Sequence, residues 1–183
     1  MGPPKKRDEG WFTSLYRADY AHIVRYGLRR LADGDAAAEL AQEVFIVAWR
    51  RRTEVPDRSL PWLYGVARRL LANQWRSRRA APDVLPITDA DLTRVGHSSS
   101  ADVAVGVADV RAALTTLNDL DQEILRLIGW EELTVSEAAR VLGCTRAAAA
   151  VRLHRARRRL TEAMSNQPTP RRRPALVSVR EDL

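Results

Sequence analysis

The sequence holds a single cysteine, Cys144, so no disulfide can close within the chain and a cysteine-built metal site has no basis. That usage suits a reducing compartment, and the expected location is the cytoplasm. No apolar run approaches the roughly 20 residues that a membrane span needs. Lys5, Lys6 and Arg7 are followed by acids where a signal peptide would have its apolar core. The three histidines, His22, His97 and His154, stand in separate contexts, and there is no metal-ligand spacing, phosphate-cradling glycine loop or nucleophile motif. These absences argue against an enzyme, a metal, a cofactor, a small-molecule substrate or a membrane partner. An internal repeat is missing too, since the two halves differ in helix length and turn chemistry.

What the chain has in excess is positive charge: 30 lysines and arginines against 23 acids, a formal net charge of +7. Such a balance suits a polyanion, because lysine and arginine gain affinity by displacing counterions from phosphates. Two stretches carry the charge without any acid. Residues 138–161 contain Arg140, Arg146, Arg152, Arg155, Arg157, Arg158 and Arg159, and residues 59–82 contain Arg68, Arg69, Arg76, Arg78 and Arg79. Between them, Asp83 to Asp109 hold five aspartates, with Arg94 as the only cation. Two basic surfaces separated by an acidic connector are expected.

The 183 residues, 45% of them hydrophobic, fit one medium domain or two small ones. Trp11 to Leu31 carries Phe12, Leu15, Tyr16, Tyr20, Ile23, Val24, Leu28 and Leu31 at helical spacing. Asp33-Gly34-Asp35 breaks the pattern before a second stripe of Leu40, Ala41, Val44, Phe45, Ala48 and Trp49. Thr53 to Asp57 reads as a loop, and Ser59 with Pro61 suits entry into a third helix that buries Leu63, Val66, Ala67, Leu70 and Leu71 and runs to Arg79. Helical periodicity resumes at Val103, and a further helix starts near Asp119. The expected fold is all-α: a three-helix bundle over 11–80, an acidic linker over 81–101, a smaller helical domain over 102–164, and disordered ends over 1–10 and 165–183. The basic run Arg171-Arg172-Arg173 in the tail is read as solvated.

Thr134-Val135-Ser136-Glu137 fits a capping box, and Gly143 permits a tight turn before Thr145 caps the next helix. That helix places Ala149, Leu153, Ala156 and Leu160 on its buried side. A short helix, a glycine turn and an arginine-rich second helix form a unit that inserts a helix N-terminus into the major groove. An ordinary helical hairpin has the same turn; the acid-free arginines tip the balance toward DNA. Arg146 and His154 are expected near base edges, with Arg152, Arg155, Arg157 and Arg158 mostly on phosphates.

The motif Asp121-Gln122-Glu123-Ile124-Leu125, then Leu133-Thr134-Val135-Ser136-Glu137-Ala138-Ala139, then Val151-Arg152-Leu153-His154-Arg155-Ala156-Arg157 resembles region four of the sigma-70 family. Ala38-Glu39-Leu40-Ala41-Gln42-Glu43-Val44-Phe45 and Pro61-Trp62-Leu63-Tyr64-Gly65-Val66-Ala67-Arg68 resemble region two. The order and spacing are similar to those of extracytoplasmic-function sigma factors, which lack the intervening region three. The chain departs from their pattern at three points. Ala37-Ala38-Glu39 keeps one acid of a usual pair, Ala67-Arg68-Arg69 stands where "ARN" is frequent, and Ala148-Ala149-Ala150-Val151 replaces the usual "TVKS".

The resemblance implies a promoter-recognition subunit of bacterial RNA polymerase. Glu39, Gln42, Glu43 and Phe45 would meet the clamp coiled coil of the beta-prime subunit. Arg58, Trp62, Arg68, Arg69, Asn73, Arg76 and Arg79 would capture and help melt the minus-ten element. Unpaired bases find replacement partners on aromatic faces, here Trp62, Tyr64 and Trp75, and in arginine-lined grooves, although core packing is the more ordinary role for Trp62 and Tyr64, and Trp49 reads as structural. Thr145, Arg146, Ala150, Arg152, His154, Arg155, Arg157 and Arg158 would meet the minus-thirty-five duplex. With "TVKS" replaced, that reading would rest on few side chains and on DNA shape. Asp83, Asp89 and Asp91 of the linker would mimic nucleic-acid charge inside the polymerase. The beta flap is a second polymerase contact, and an anti-sigma factor is a further partner class that the resemblance allows. The alternative is an autonomous helix-turn-helix repressor or activator, which leaves the basic third helix of the N-terminal half unexplained.

Overall fold

The computed structural model describes residues 7–80 and 109–166, without the side chains of 78–80. The linker 81–101, the tail from 167 and the first six residues, about which disorder or acidity was expected, lie outside them. Every regular element among the described residues is helical.

Asp8 starts α1, Glu9–Leu31, by accepting the Trp11 amide at 3.0 Å, so the helix begins ahead of Trp11, where periodicity predicts it. It ends at Ala32 in a left-handed conformation (φ 56°), whose amide returns to the Leu28 carbonyl at 3.0 Å. Asp33 then caps α2, Gly34–Arg50, through the Asp35 and Ala36 amides at 2.9 and 3.0 Å. The break therefore falls at Ala32-Asp33; Gly34 and Asp35, expected within it, are already helical. The two helices cross tightly at Gly27, where a β-carbon would come within 3.0 Å of the Ala37 β-carbon. A 3₁₀ turn, Arg52–Glu54, leads to α3, Leu60–Ala80, and the Ser59 hydroxyl donates to the buried Asp19 carboxylate, tying the start of α3 to α1.

In the second half, residues 109–115 form α4, followed by α5 (Asp119–Gly129), α6 (Val135–Leu142) and α7 (Arg146–Ser165). Asn118 caps α5 at the Asp121 amide, 3.0 Å. Leu114, Leu117, Ile124, Leu125, Ala139, Ala149, Leu153 and Ala156 make its core.

The first core, built from Ile23, Tyr26, Leu40, Val44, Leu63, Tyr64 and Leu71, does not stop at the boundary between the halves. Leu127, Leu133, Ala138 and Val141 close over it, with α6 lying on α3. A separate-domain pattern foresees burial of one face of α6. The helix in fact has two buried faces, because Ala138 and Val141 face the N-terminal bundle while Ala139 faces α7.

Charge crosses the same seam. Arg30, its side chain 2% exposed, donates to both oxygens of Glu123 at 2.9 and 3.1 Å, to Glu131 at 3.1 Å and to the Tyr26 carbonyl at 3.0 Å. Arg29 adds two hydrogen bonds to Glu131, and the Tyr26 hydroxyl donates to Glu123 at 3.0 Å. The Arg30 guanidinium also lies 3.4 Å from the Tyr26 ring centre, and that ring stacks on Tyr64 at 5.2 Å. Burial opposes ionisation of Arg30, but Tyr26, Glu123 and Glu131 outweigh it and hold the group above its ordinary range. Burial, reinforced by Glu123, pushes the Tyr26 phenol well up, although Arg30 pulls the other way. No buried side-chain nitrogen or oxygen among the described residues lacks a partner.

A buried pair is worth most when one member is removed, since the other is left charged and dry. Glu131→Leu is expected to cost about 3–5 kcal/mol, and Arg30→Met a similar amount. The double variant Arg30→Met with Glu131→Leu should lose less than the sum, by about 0.5–3 kcal/mol. Urea unfolding of the full chain and these variants measures the coupling; strictly additive losses would show that the pair is not one unit.

Candidate nucleic-acid interface

The expected capping box is present in both directions. The Thr134 hydroxyl oxygen accepts the Glu137 amide at 3.3 Å, while the Glu137 carboxylate accepts the Thr134 amide at 2.9 Å and its hydroxyl at 2.7 Å. Gly143 is left-handed (φ 68°), with its amide on the Arg140 carbonyl at 3.3 Å and the Cys144 amide on the Ala139 carbonyl at 3.0 Å. Thr145 caps α7 by accepting the Ala148 amide at 3.1 Å. These contacts fix the angle at which α7 leaves the turn.

Each residue of a helix advances about 100° around its axis. Ala149, Leu153, Ala156 and Leu160 pack inward, and the opposite direction runs through Ala147, Val151 and Arg158, flanked by His154 and Arg155. Of the residues expected at the minus-thirty-five element, His154, Arg155 and Arg158 thus share the outward face. Ala150 lies on its flank, while Arg146, Arg152 and Arg157 stand nearer the inward side. Arg146, Arg152, Arg155 and Arg157 make no ion pair among the described residues. Arg158 reaches Glu162 at 3.4 Å with both side chains mostly exposed, and Arg159 turns back to the buried Asp121 carboxylate, bracing α7 on α5. Val151, half exposed at 50%, is the residue on this face that charge counting passes over.

On α3, a cleft of about 560 Å³ is lined by Arg68, Arg69, Ala72, Asn73, Trp75, Arg76 and Asp119. It gathers Arg68, Arg69, Asn73 and Arg76 from the expected minus-ten set. Arg76 is held by the Ala72 carbonyl at 3.2 Å and by the Asn73 side chain. Trp75, 42% exposed, lines it as well. Arg58 and Trp62 are not part of it. Arg58 sits before α3 and pairs with Glu137 of α6 at 2.6 Å, and the half-buried Trp62 ring has the Arg51 guanidinium 5.9 Å from its centre. Tyr64 is core, stacked on Tyr26. The side chain of Arg79 lies outside the described residues.

On α2, Glu39, Gln42 and Glu43 are exposed along one stripe, which continues to Ile46 at 50% exposure. Ile46 lies a further turn along from Gln42 and Glu43, a signal that helical spacing alone could have caught. Phe45, expected to meet the polymerase with them, is corrected by its burial. It is 2% exposed beneath Phe12, Tyr16 and Tyr20, at centroid distances of 6.3, 4.9 and 6.1 Å, and so supports the stripe from below. No group of three or more metal-ligating side chains converges among the described residues, and no helix there is long and apolar enough to cross a membrane.

Residues 15–81 match the model of sigma-70 region 2, and residues 108–160 that of sigma-70 region 4. The chain belongs to the sigma-70 family. It falls in the extracytoplasmic-function group. It is 34% identical over 142 residues to the probable RNA polymerase sigma factor RfaY of Xanthomonas campestris pv. campestris, covering 74% of this chain and 36% of that protein. It is 29% identical over 167 residues to the RNA polymerase sigma factor YlaC of Bacillus subtilis, covering 88% of this chain and 95% of the relative. The chain thus spans about a third of the first relative and nearly all of the second. In fold it is similar to the sigma factor RpoE of Bartonella quintana, solved in complex with the anti-sigma factor NepR, with TM-score 0.62, 22% identity, and 86% of this chain and 98% of that one covered.

In this sigma factor the helix-turn-helix is tied to region two through Glu137, which serves at once as cap and as partner of Arg58. Burial raises its pKa, but the two Thr134 hydrogen bonds, Arg58 and Arg140 together bring it below the ordinary value of 4.5. A depressed carboxyl stabilises the fold fully above its unfolded pKa and loses that contribution as pH falls through the folded one. Glu137→Gln should therefore be less stable than the parent at neutral pH, and the gap should narrow as pH is lowered below about 4.5. Thermal unfolding of both proteins across that range checks it; a gap independent of pH would mean that ionisation of Glu137 plays no part.

Proposed function

We propose that this sigma factor docks on core RNA polymerase through region two, captures and opens the minus-ten element with α3, and reads the minus-thirty-five element as duplex with α7. In this reading residues 11–80 form the melting domain, 81–101 the acidic connector and 102–164 the duplex reader. The observation that carries it is the presence, on one chain matching both regions, of two separate arginine faces. One is a cleft beside an exposed tryptophan, suited to single strands, and the other is the outward side of a capped recognition helix, suited to a major groove. A repressor needs only the second.

The stripe of Glu39, Gln42, Glu43 and Ile46 suits a basic, partly apolar partner such as the clamp coiled coil of the beta-prime subunit, with the beta flap as the region-four contact. An anti-sigma factor belongs to the same proposal, supported by the Bartonella neighbour. The place of action is the nucleoid.

Geometry adds a condition. The two promoter elements lie about 25 base pairs apart, roughly 85 Å at 3.4 Å per pair. A compact chain of this length has a radius of gyration near 16 Å, or about 40 Å across. The seam at Arg30 therefore has to open before both elements are held.

Run-off transcription with purified core polymerase tests the proposal. Start-site-specific transcripts are expected only when the protein is added, and a footprint by the protein alone, without polymerase, would favour the repressor. Glu39→Lys with Glu43→Lys should weaken core binding about tenfold or more, equivalent to about 1.4 kcal/mol, with unfolding unchanged. Undiminished affinity would remove that stripe as the docking surface.

A further inference from the structure

We infer that the recognition helix identifies its upstream promoter element by thymine methyl groups, with Val151 as the residue that reads them and Ala147 beside it. This rests on region four being the duplex reader, and it names the base feature that the reader selects.

Placement comes first. Taking Ala149, Leu153, Ala156 and Leu160 as the inward direction, Val151 falls within about 10° of the direct opposite and Ala147 within about 30°. Val151 is therefore at the centre of the face that α7 offers outward, in its second turn, where a recognition helix meets base edges. His154 and Arg155 stand on either side one turn later, and Arg158 lies below it on the same line. The cap at Thr145 and the brace from Arg159 to Asp121 hold that face in place.

Chemistry comes next. From Ala147 to Val151 no side chain carries a hydrogen-bond donor or acceptor. These residues cannot distinguish bases by the donor and acceptor code of the major groove. One apolar feature exists on that edge, the C5-methyl of thymine, and small or branched apolar side chains are the groups that contact it. The alanines at 147, 148 and 150 are exposed, and their short side chains let the helix sit deep enough for a valine to reach. Val151 itself is 50% exposed in the free protein, and as a β-branched residue on a helix surface it brings no gain in helix propensity. Its apolar surface finds a partner only when the groove covers it. The flanking arginines supply the positive charge that brings the phosphates in, so the surface is complementary to a duplex in charge as well as in shape.

The test uses holoenzyme reconstituted with core polymerase on its mapped promoter, with each thymine of the upstream element replaced in turn by deoxyuridine. That change removes the methyl and leaves pairing intact. Binding should fall about fourfold at one or two positions, the effect of about one buried methyl, and Val151→Ala should bind the thymine promoter at that reduced level and be indifferent to deoxyuridine there. Alanine favours the helix, and circular dichroism of the variant checks that it is folded. If Val151→Ala keeps the parent's sensitivity to deoxyuridine, Val151 is not the reader. If no deoxyuridine matters while transversions in the upstream element still abolish binding, methyl reading fails but region four remains the duplex reader. If transversions there have no effect either, the reading of region four falls with it.

Discussion

Arg30 carries a permanent charge into a place where almost no water reaches it, and the chain answers with two carboxylates and a carbonyl from both of its halves. Once Arg30 is buried, Glu123 and Glu131 must be there, which places α5 and the loop after it against α1. That in turn sets α6 down on α3, so that Val141 and Ala138 complete the N-terminal core. The orientation of α7 follows, because Glu137 caps α6, pairs with Arg58 and leads into the turn at Gly143. A charged contact between residues about a hundred positions apart thus governs the direction in which the recognition helix points.

This dependence explains which parts of the molecule were legible beforehand. The capping box, the Gly143 turn, the inward residues of α7 and the helical stripes are local: each is written within about one to three turns, and the physics that forms them acts over the same range. The seam is not local. Tyr26, Arg29 and Arg30 look like the ordinary basic end of a helix, and Glu131 like a loop acid, until the fold brings them together. Periodicity records one buried side, and a short helix clamped between two bundles has two, so Val141 and Ala139 are both covered. The family resemblance sets Phe45 with its exposed motif neighbours at the polymerase, whereas the apolar stripe it also belongs to turns it under Tyr16.

Arginine counting has a related weakness. The acid-free stretch around α7 marks a basic helix correctly, but it treats all of its arginines as alike. Arg159 belongs to the fold through Asp121, Arg158 is shared with Glu162, and Arg155 and Arg157 have no such partner among the described residues. Acids that neutralise a cation need not be near it in sequence: Asp121 lies 38 positions away from Arg159. Ahead of α3 the same applies to Arg58, which pairs with an acid in the other half and not with the cleft.

If the seam has to part before both promoter elements are held, it also lowers the affinity for any ligand that only the open form binds. The apparent dissociation constant is the intrinsic one divided by the fraction of molecules already open, so a seam closed 99% of the time would weaken apparent binding about a hundredfold. Anything that favours the closed form would act as an inhibitor without touching a DNA-binding residue, and a substitution at Glu131 could tighten promoter binding while destabilising the protein.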